Sequence, residues 1–253
     1  MSTPTDLEKL SVEAFCDRCS EAMIPLSNTF SYFPAIPLSE EEVKDYLDDP
    51  ISALPPAVSV AVREVSILLV PYLEKVNGKE KNGASGDLVS YERPPENRQT
   101  WFVRAGAVGK ARVVFAIKDR EVADYHYHFY RAVASLTIDG AREEDLGQYF
   151  SLLREELSNG IHGEVDEQGW RLKQALLRRQ ANVRRETKLF REYARQSFID
   201  TMTLYLHGIC CDIDVETGPR QLPSRHLRKR LELLEGLYPP PQGYAVFPEE
   251  LSR

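Results

Sequence analysis

Four cysteines and one histidine are the side chains with the most obvious chemistry to offer. Cys16 and Cys19 stand in a Cys-x-x-Cys spacing, and His207, Cys210 and Cys211 lie close together far down the chain. Five such ligands suffice for zinc or an iron–sulfur cluster. Their setting argues for a quieter role. Cys16 and Cys19 share a helical stripe with Val12, Phe15 and Met23, where cysteine acts as a small hydrophobe. Cys210 and Cys211 are adjacent, so on a strand they point to opposite faces, an awkward pair for a tetrahedral site. Asp212 and Asp214 add two carboxylates, too few alone for a divalent cation. His126 and His128 would chelate a metal from a strand, but on a helix their rings lie about 200° apart. The helical reading makes His126 a core residue and pairs His128 with Asp124. No cofactor is expected.

An Arg-x5-His spacing occurs twice, at Arg120/His126 and Arg220/His226. Histidine titrates near neutrality and serves as a general acid or base. The spacing resembles the arginine–histidine core of HEPN-type ribonucleases, which are helical, over two residues each time. That resemblance implies a metal-independent ribonuclease with His126 or His226 as the acid/base. Walker A, Gly-x-Gly-x-x-Gly, Gly-x-Ser-x-Gly and His-Glu-x-x-His signatures are absent, which removes the common nucleotide-binding, hydrolase and zinc-protease readings.

The sharpest feature is a run of cations. Arg171, Lys173, Arg178, Arg179, Arg184, Arg185, Lys188, Arg191 and Arg195 face only Glu186 and Glu192. At about 100° per residue, all but Arg179 fall outside the apolar stripe of a helix. Guanidinium is a bidentate phosphate donor, so such an arc can follow a nucleic-acid backbone. Arg225, Arg228, Lys229 and Arg230 would extend it. The competing reading is a solvated face, or one neutralised by acidic parts of the same fold.

Elements must position these groups. Capping boxes at Thr5/Glu8 and Ser39/Glu42 predict two N-terminal helices, with a stop at Asp48-Asp49-Pro50. Between them Pro25 to Leu38 reads as an aromatic, proline-rich loop. Val58, Val62, Val65, Leu69 and Leu73 predict a third helix from Pro55-Pro56 to about Val76. Asn77 to Gln99 reads as a loop. Residues 100–105 and 111–118 predict a hairpin. Helices are predicted over 120–138, 143–157 and 224–237. Leu172, Leu176, Val183, Phe190, Ala194, Phe198 and Tyr205 predict one continuous helix over about 166–207, roughly 60 Å long. Ile209 to Val215 alternates like a strand. The expected fold is mainly α, with a small β-hairpin and one very long basic amphipathic helix. It divides into an acidic helical region (1–77), a linker (78–99), the hairpin with the long helix (100–238) and a Pro-rich tail (239–253). In that tail Tyr244 and Phe247 are placed to dock.

The chain has 253 residues and a formal net charge of −7. Divided along its length the balance is −12 over residues 1–170, +8 over 171–230 and −3 over 231–253. No apolar run is long enough to span a membrane, and no leader is visible, so a cytoplasmic protein is expected. A helix too long for its own domain, with no assembled catalytic set, points to a non-catalytic interaction or regulatory protein. Its partner would be another protein or a second copy. Nucleic acid bound on the Arg-rich face is the alternative.

Overall fold

The computed structural model describes residues 9–76, 86–107, 110–178, 186–211 and 220–246. The fold is mixed α/β with two sheets, of four and five strands, and not the helix-dominated protein with a small hairpin that the sequence suggested. In chain order the strands are β1 (Leu10–Ser11), β2 (Ile24–Pro25), β3 (Phe30–Pro34), β4 (Val65–Val70), β5 (Tyr72–Glu74), β6 (Leu88–Ser90), β7 (Gln99–Thr100), β8 (Phe102–Ala107) and β9 (Lys110–Ala116). The α-helices are α1 (Val12–Cys19), α2 (Glu40–Val43), α3 (Asp49–Ser52), α4 (Pro56–Val62), α5 (Val122–Gly140), α6 (Glu143–Ser158), α7 (Glu167–Leu177), α8 (Lys188–Cys210) and α9 (Ser224–Leu237). No helix among the described residues is long and apolar enough to cross a membrane. The chain forms two compact units, Met1–Ile51 with Val62–Ala132, and Ser52–Ala61 with Val133–Arg253.

The first unit holds both sheets. The larger has the order β2-β3-β4-β9-β8. Its three middle strands are parallel, and an antiparallel strand closes each edge. β4 is the centre, and it overturns the predicted third helix. Only Pro56–Val62 is helical; Arg63 then takes a left-handed φ of 59°, a common way to end a helix. Beyond it Ile67, Leu68, Leu69 and Val70 are all buried. A strand with a covered face on either side carries a continuous apolar run, so its period of two disappears. The supposed loop after Pro25 supplies β3.

One core of this unit joins Val12, Phe15, Cys16 and Cys19 of α1 to Leu68, Val70, Val114 and Ala116 of the sheet. Phe115 packs with Tyr125 and Phe129 of α5. The smaller sheet, β1-β6-β5-β7, is antiparallel throughout. Ser11 caps α1, and the Thr5/Glu8 box lies outside the described residues. The Ser39/Glu42 box has both of its arms. Its helix does not stop at Pro50: a π-turn over Lys44–Asp48 carries the run on into α3, and such a turn accommodates the proline's missing N–H.

The second unit is built from helices. The predicted rod over 166–207 is not one continuous helix: among the described residues α7 ends at Leu177 and α8 starts afresh at Lys188. Thr187 is extended (φ −80°, ψ 162°), and its hydroxyl caps α8 by accepting from the Phe190 N–H. Residues 179–185 lie outside the described residues. Cys210 ends α8 and Cys211 is its cap, so the predicted strand does not begin at Ile209; residues 212–215 lie outside the described residues. Tyr244 meets Ser52 through their hydroxyls at 3.2 Å, and Phe247 lies outside the described residues.

Candidate functional site

Among the described residues, four buried ionisable groups are joined inside the second unit. Arg230 of α9 and Lys173 of α7 are completely buried, with Glu156 of α6 and Glu164 of the α6–α7 connection. Each helical member follows from its place in an apolar row. Arg230 lies between Leu227, Leu231 and Leu234, and Glu156 lies beside Leu152, Leu153 and Leu157. Lys173 precedes Leu176 by one turn. Glu164 is brought in by backbone. Its N–H donates to Arg220 O, and its carbonyl accepts from Leu222 N–H. Gly163, at φ +83°, permits this approach, because a Cβ there would sit 2.1 Å from Gln221 O.

All five guanidinium N–H groups of Arg230 are used. Nε donates to Glu156, Nη1 to Glu164 Oε2 (2.8 Å) and Ser197 Oγ (2.9 Å), and Nη2 to Glu156 Oε2 (2.5 Å) and Glu164 Oε1 (3.0 Å). Lys173 Nζ donates to Glu164 Oε1 and Gly163 O, and the Tyr193 hydroxyl donates to the same carboxylate oxygen. The Tyr149 hydroxyl meets Ser197 and Thr201. Two cations thus balance two carboxylates in a site closed to water.

Burial alone would raise the Glu164 carboxyl. The Arg230 guanidinium, joined by Lys173 and the Tyr193 hydroxyl, outweighs it and holds the group at about 2. Burial lowers Lys173 against the opposing pull of Glu164, and it pushes the Tyr149 phenol up to about 12. A saturated, neutral, enclosed network of this kind fixes helices and offers no group to a substrate.

That network sets the spacing of an open feature. Glu156 grips Arg230 on the inside, and the adjacent residues Glu155 and Lys229 pair outside at 2.9 Å. Between α6 and α9 runs a groove of about 820 Å³, lined by Glu144, Gly147, Gln148, Ser151 and Glu155 on one wall and Lys229 and Leu233 on the other, with Leu152 among its apolar lining. A second concavity of about 560 Å³ lies on α7, lined by Trp170, Arg171, Gln174, Ala175, Leu177 and Arg178. The Arg220 guanidinium sits 4.9 Å from the centroid of the Trp170 ring.

The predicted cations are dispersed. Arg171 pairs with Glu167, Arg191 with Glu186, Arg195 with Asp139, Arg228 with Glu232 and Lys229 with Glu155. Arg178 is exposed at the end of α7, Lys188 is exposed at the start of α8, and Arg184 and Arg185 lie outside the described residues. Lys173, assigned by its spacing to the basic face, is instead the buried partner of Glu164.

The predicted acid/base pairs are engaged elsewhere. Arg120 stacks on Trp101 at 3.8 Å and donates to Gln99. His126 is buried, with Nε2 2.7 Å from Asp45 O. His226 receives a bond from Arg225 Nε. His128 stacks on Trp101 at 4.5 Å; burial, then Arg131, lowers it to about 4.

Cys16 and Cys19 belong to the first unit's core, where burial raises their thiols to about 12 and about 11. His207 lies on the last turn of α8, and its carbonyl accepts from the Cys211 N–H. Asp212 and Asp214 lie outside the described residues. Compared with protein-family models, with curated proteins and with solved structures, the chain finds no match.

Proposed function

We propose that this is a non-catalytic interaction protein whose partner docks an α-helix into the groove between α6 and α9. The observation that carries the reading is the division of labour in the second unit. Its ionisable cluster is sealed and saturated, whereas the groove beside it is open, partly apolar and held at fixed width by the Arg230–Glu156 bridge. From Glu144 to Glu155 the wall spans twelve residues, roughly 16 Å from first to last, which matches about three turns of a docked helix. Helix-in-groove recognition uses apolar anchors at i, i+3/i+4 and i+7. Leu152 and Leu233 offer the apolar contact, and Gly147 and Ser151 leave room above it. The lining carries two carboxylates against one ammonium, so the fitting helix bears a Lys or Arg opposite Glu144.

A photo-crosslinking residue at Gln148, compared with one at the exposed Glu121 of the first unit, tests this. Crosslinks from position 148 alone are expected, to a peptide with helical apolar spacing and a basic residue. Peptides of this same chain, equal crosslinking from both positions, or none from either would overturn the reading.

A further inference from the structure

We infer that the concavity on α7 is a binding site for a nucleotide unit of a single-stranded nucleic acid. It shares no residue with the groove between α6 and α9, so the two readings fail or survive separately. The site is written along one helix. Arg171, Gln174 and Arg178 stand at i, i+3 and i+7, so their Cα positions span about 10 Å of one face. Trp170 and Leu177 form a neighbouring row, also at i and i+7. A cationic edge therefore runs beside an apolar one, with a carboxamide between them.

Each part suits a feature of a nucleotide. Guanidinium groups at Arg171 and Arg178 bond phosphate oxygens bidentately. The half-buried Trp170 indole lines the same concavity with the Arg220 guanidinium 4.9 Å from its ring centroid, and aromatic rings and arginine planes are the groups on which unpaired bases stack. Gln174 has both donors and an acceptor and can bond a base edge. A lipid phosphate would use the arginines but has no need of the ring or the amide. The volume, about 560 Å³, lies in the range of sites for small planar ligands.

Arg171 is held by Glu167, but both side chains are largely exposed (70% and 59%), so the pair contributes little and yields readily to phosphate. The chain's net charge of −7 opposes long-range attraction, so contact is short-range and strongest at low salt.

Fluorescence anisotropy of a labelled twelve-nucleotide oligothymidylate tests the site with the full chain. Binding is expected at 50 mM salt. With the two arginines Arg171 and Arg178 engaged, affinity should fall about sevenfold by 200 mM. R171E/R178E, two surface changes, should abolish binding, with the far-ultraviolet circular dichroism unchanged. W170L should weaken it at least fivefold. No binding at 50 mM salt, or undiminished binding by R171E/R178E or by W170L, would overturn the proposal. So would displacement by inorganic phosphate as effective as by AMP, or tighter binding to phosphatidylserine vesicles than to the oligonucleotide.

Discussion

The Tyr193 hydroxyl lies 2.5 Å from Glu164 Oε1, the same oxygen that accepts from Lys173 Nζ and from Arg230 Nη2. One carboxylate oxygen on the α6–α7 connection thus gathers donors from α7, α8 and α9. The other oxygen accepts from Arg230 Nη1. Glu164 is the point at which these helices meet chemically, and Arg230 is the only one of the three donors that also reaches Glu156.

This asymmetry ranks the cations. Arg230→Met leaves Glu156 and Glu164 buried without their guanidinium and should cost about 3–5 kcal/mol. Lys173→Met leaves Glu164 held by Arg230 and Tyr193 and should cost about 1–3 kcal/mol, the scale of a bond lost to a charged group. Urea unfolding compares them. Equal losses would refute the central role given to Arg230. Adding Glu156→Gln and Glu164→Gln to Arg230→Met should recover part of its loss, because the buried negative charge goes with them.

Acid should lower the protein's stability over two adjoining ranges of pH. His128 is held at about 4, against 6.5 when unfolded, so the unfolded chain takes up a proton below 6.5 that the folded chain refuses. Stability therefore begins to fall below pH 6.5 and goes on falling toward 4. Glu164 is held at about 2 against 4.5, so its contribution is complete above 4.5 and is lost as pH falls toward 2. Melting temperature measured from pH 3 to 8 should show both limbs. His128→Gln should flatten the upper limb and leave the lower one; an unaltered profile would exclude His128 as its source.

Two glycines should respond in opposite directions to a methyl group. Gly163→Ala places a Cβ 2.1 Å from Gln221 O at a φ of +83°, and it disturbs the connection that carries Glu164. The strain alone is worth about 1–3 kcal/mol. Gly147 lies within α6 with nothing within 4 Å of an added Cβ, so Gly147→Ala should stabilise by about 0.5–1 kcal/mol. Thermal unfolding of the two variants checks the contrast, and a shift of the same sign in both would contradict it.

Much of the local structure was legible in the sequence. The Val12–Cys19 stripe, the Ser39/Glu42 box, the hairpin near 102–116 and the helices at 122–140, 143–158 and 224–237 all carry strong local signals. The parallel strands did not show. Val65, Leu69 and Leu73 repeat every four residues by coincidence within an apolar run, and only the neighbours β3 and β9 make that run a strand. The buried cluster was missed for a different reason. Arg, Lys and Glu are rarely enclosed unless paired, so their types alone assign them to the surface. A signal was nevertheless present: Arg230 and Glu156 both interrupt leucine rows at helical spacing. Glu164 carried none, since its position depends on backbone contacts with residues 220–222.

Gly140 packs so closely on Ala61 that a Cβ there would lie 2.1 Å from the Ala61 carbonyl oxygen. Seventy-nine positions separate the two in the chain. On a ribosome adding about 5–20 residues per second, Ala61 emerges roughly 4–16 s before the residue it must meet. The segment Ser52–Ala61 is therefore translated long before its place exists, and most of the first unit is synthesised while that segment waits. Neither unit can be cut from the chain as one continuous fragment without taking along or leaving behind this ten-residue piece.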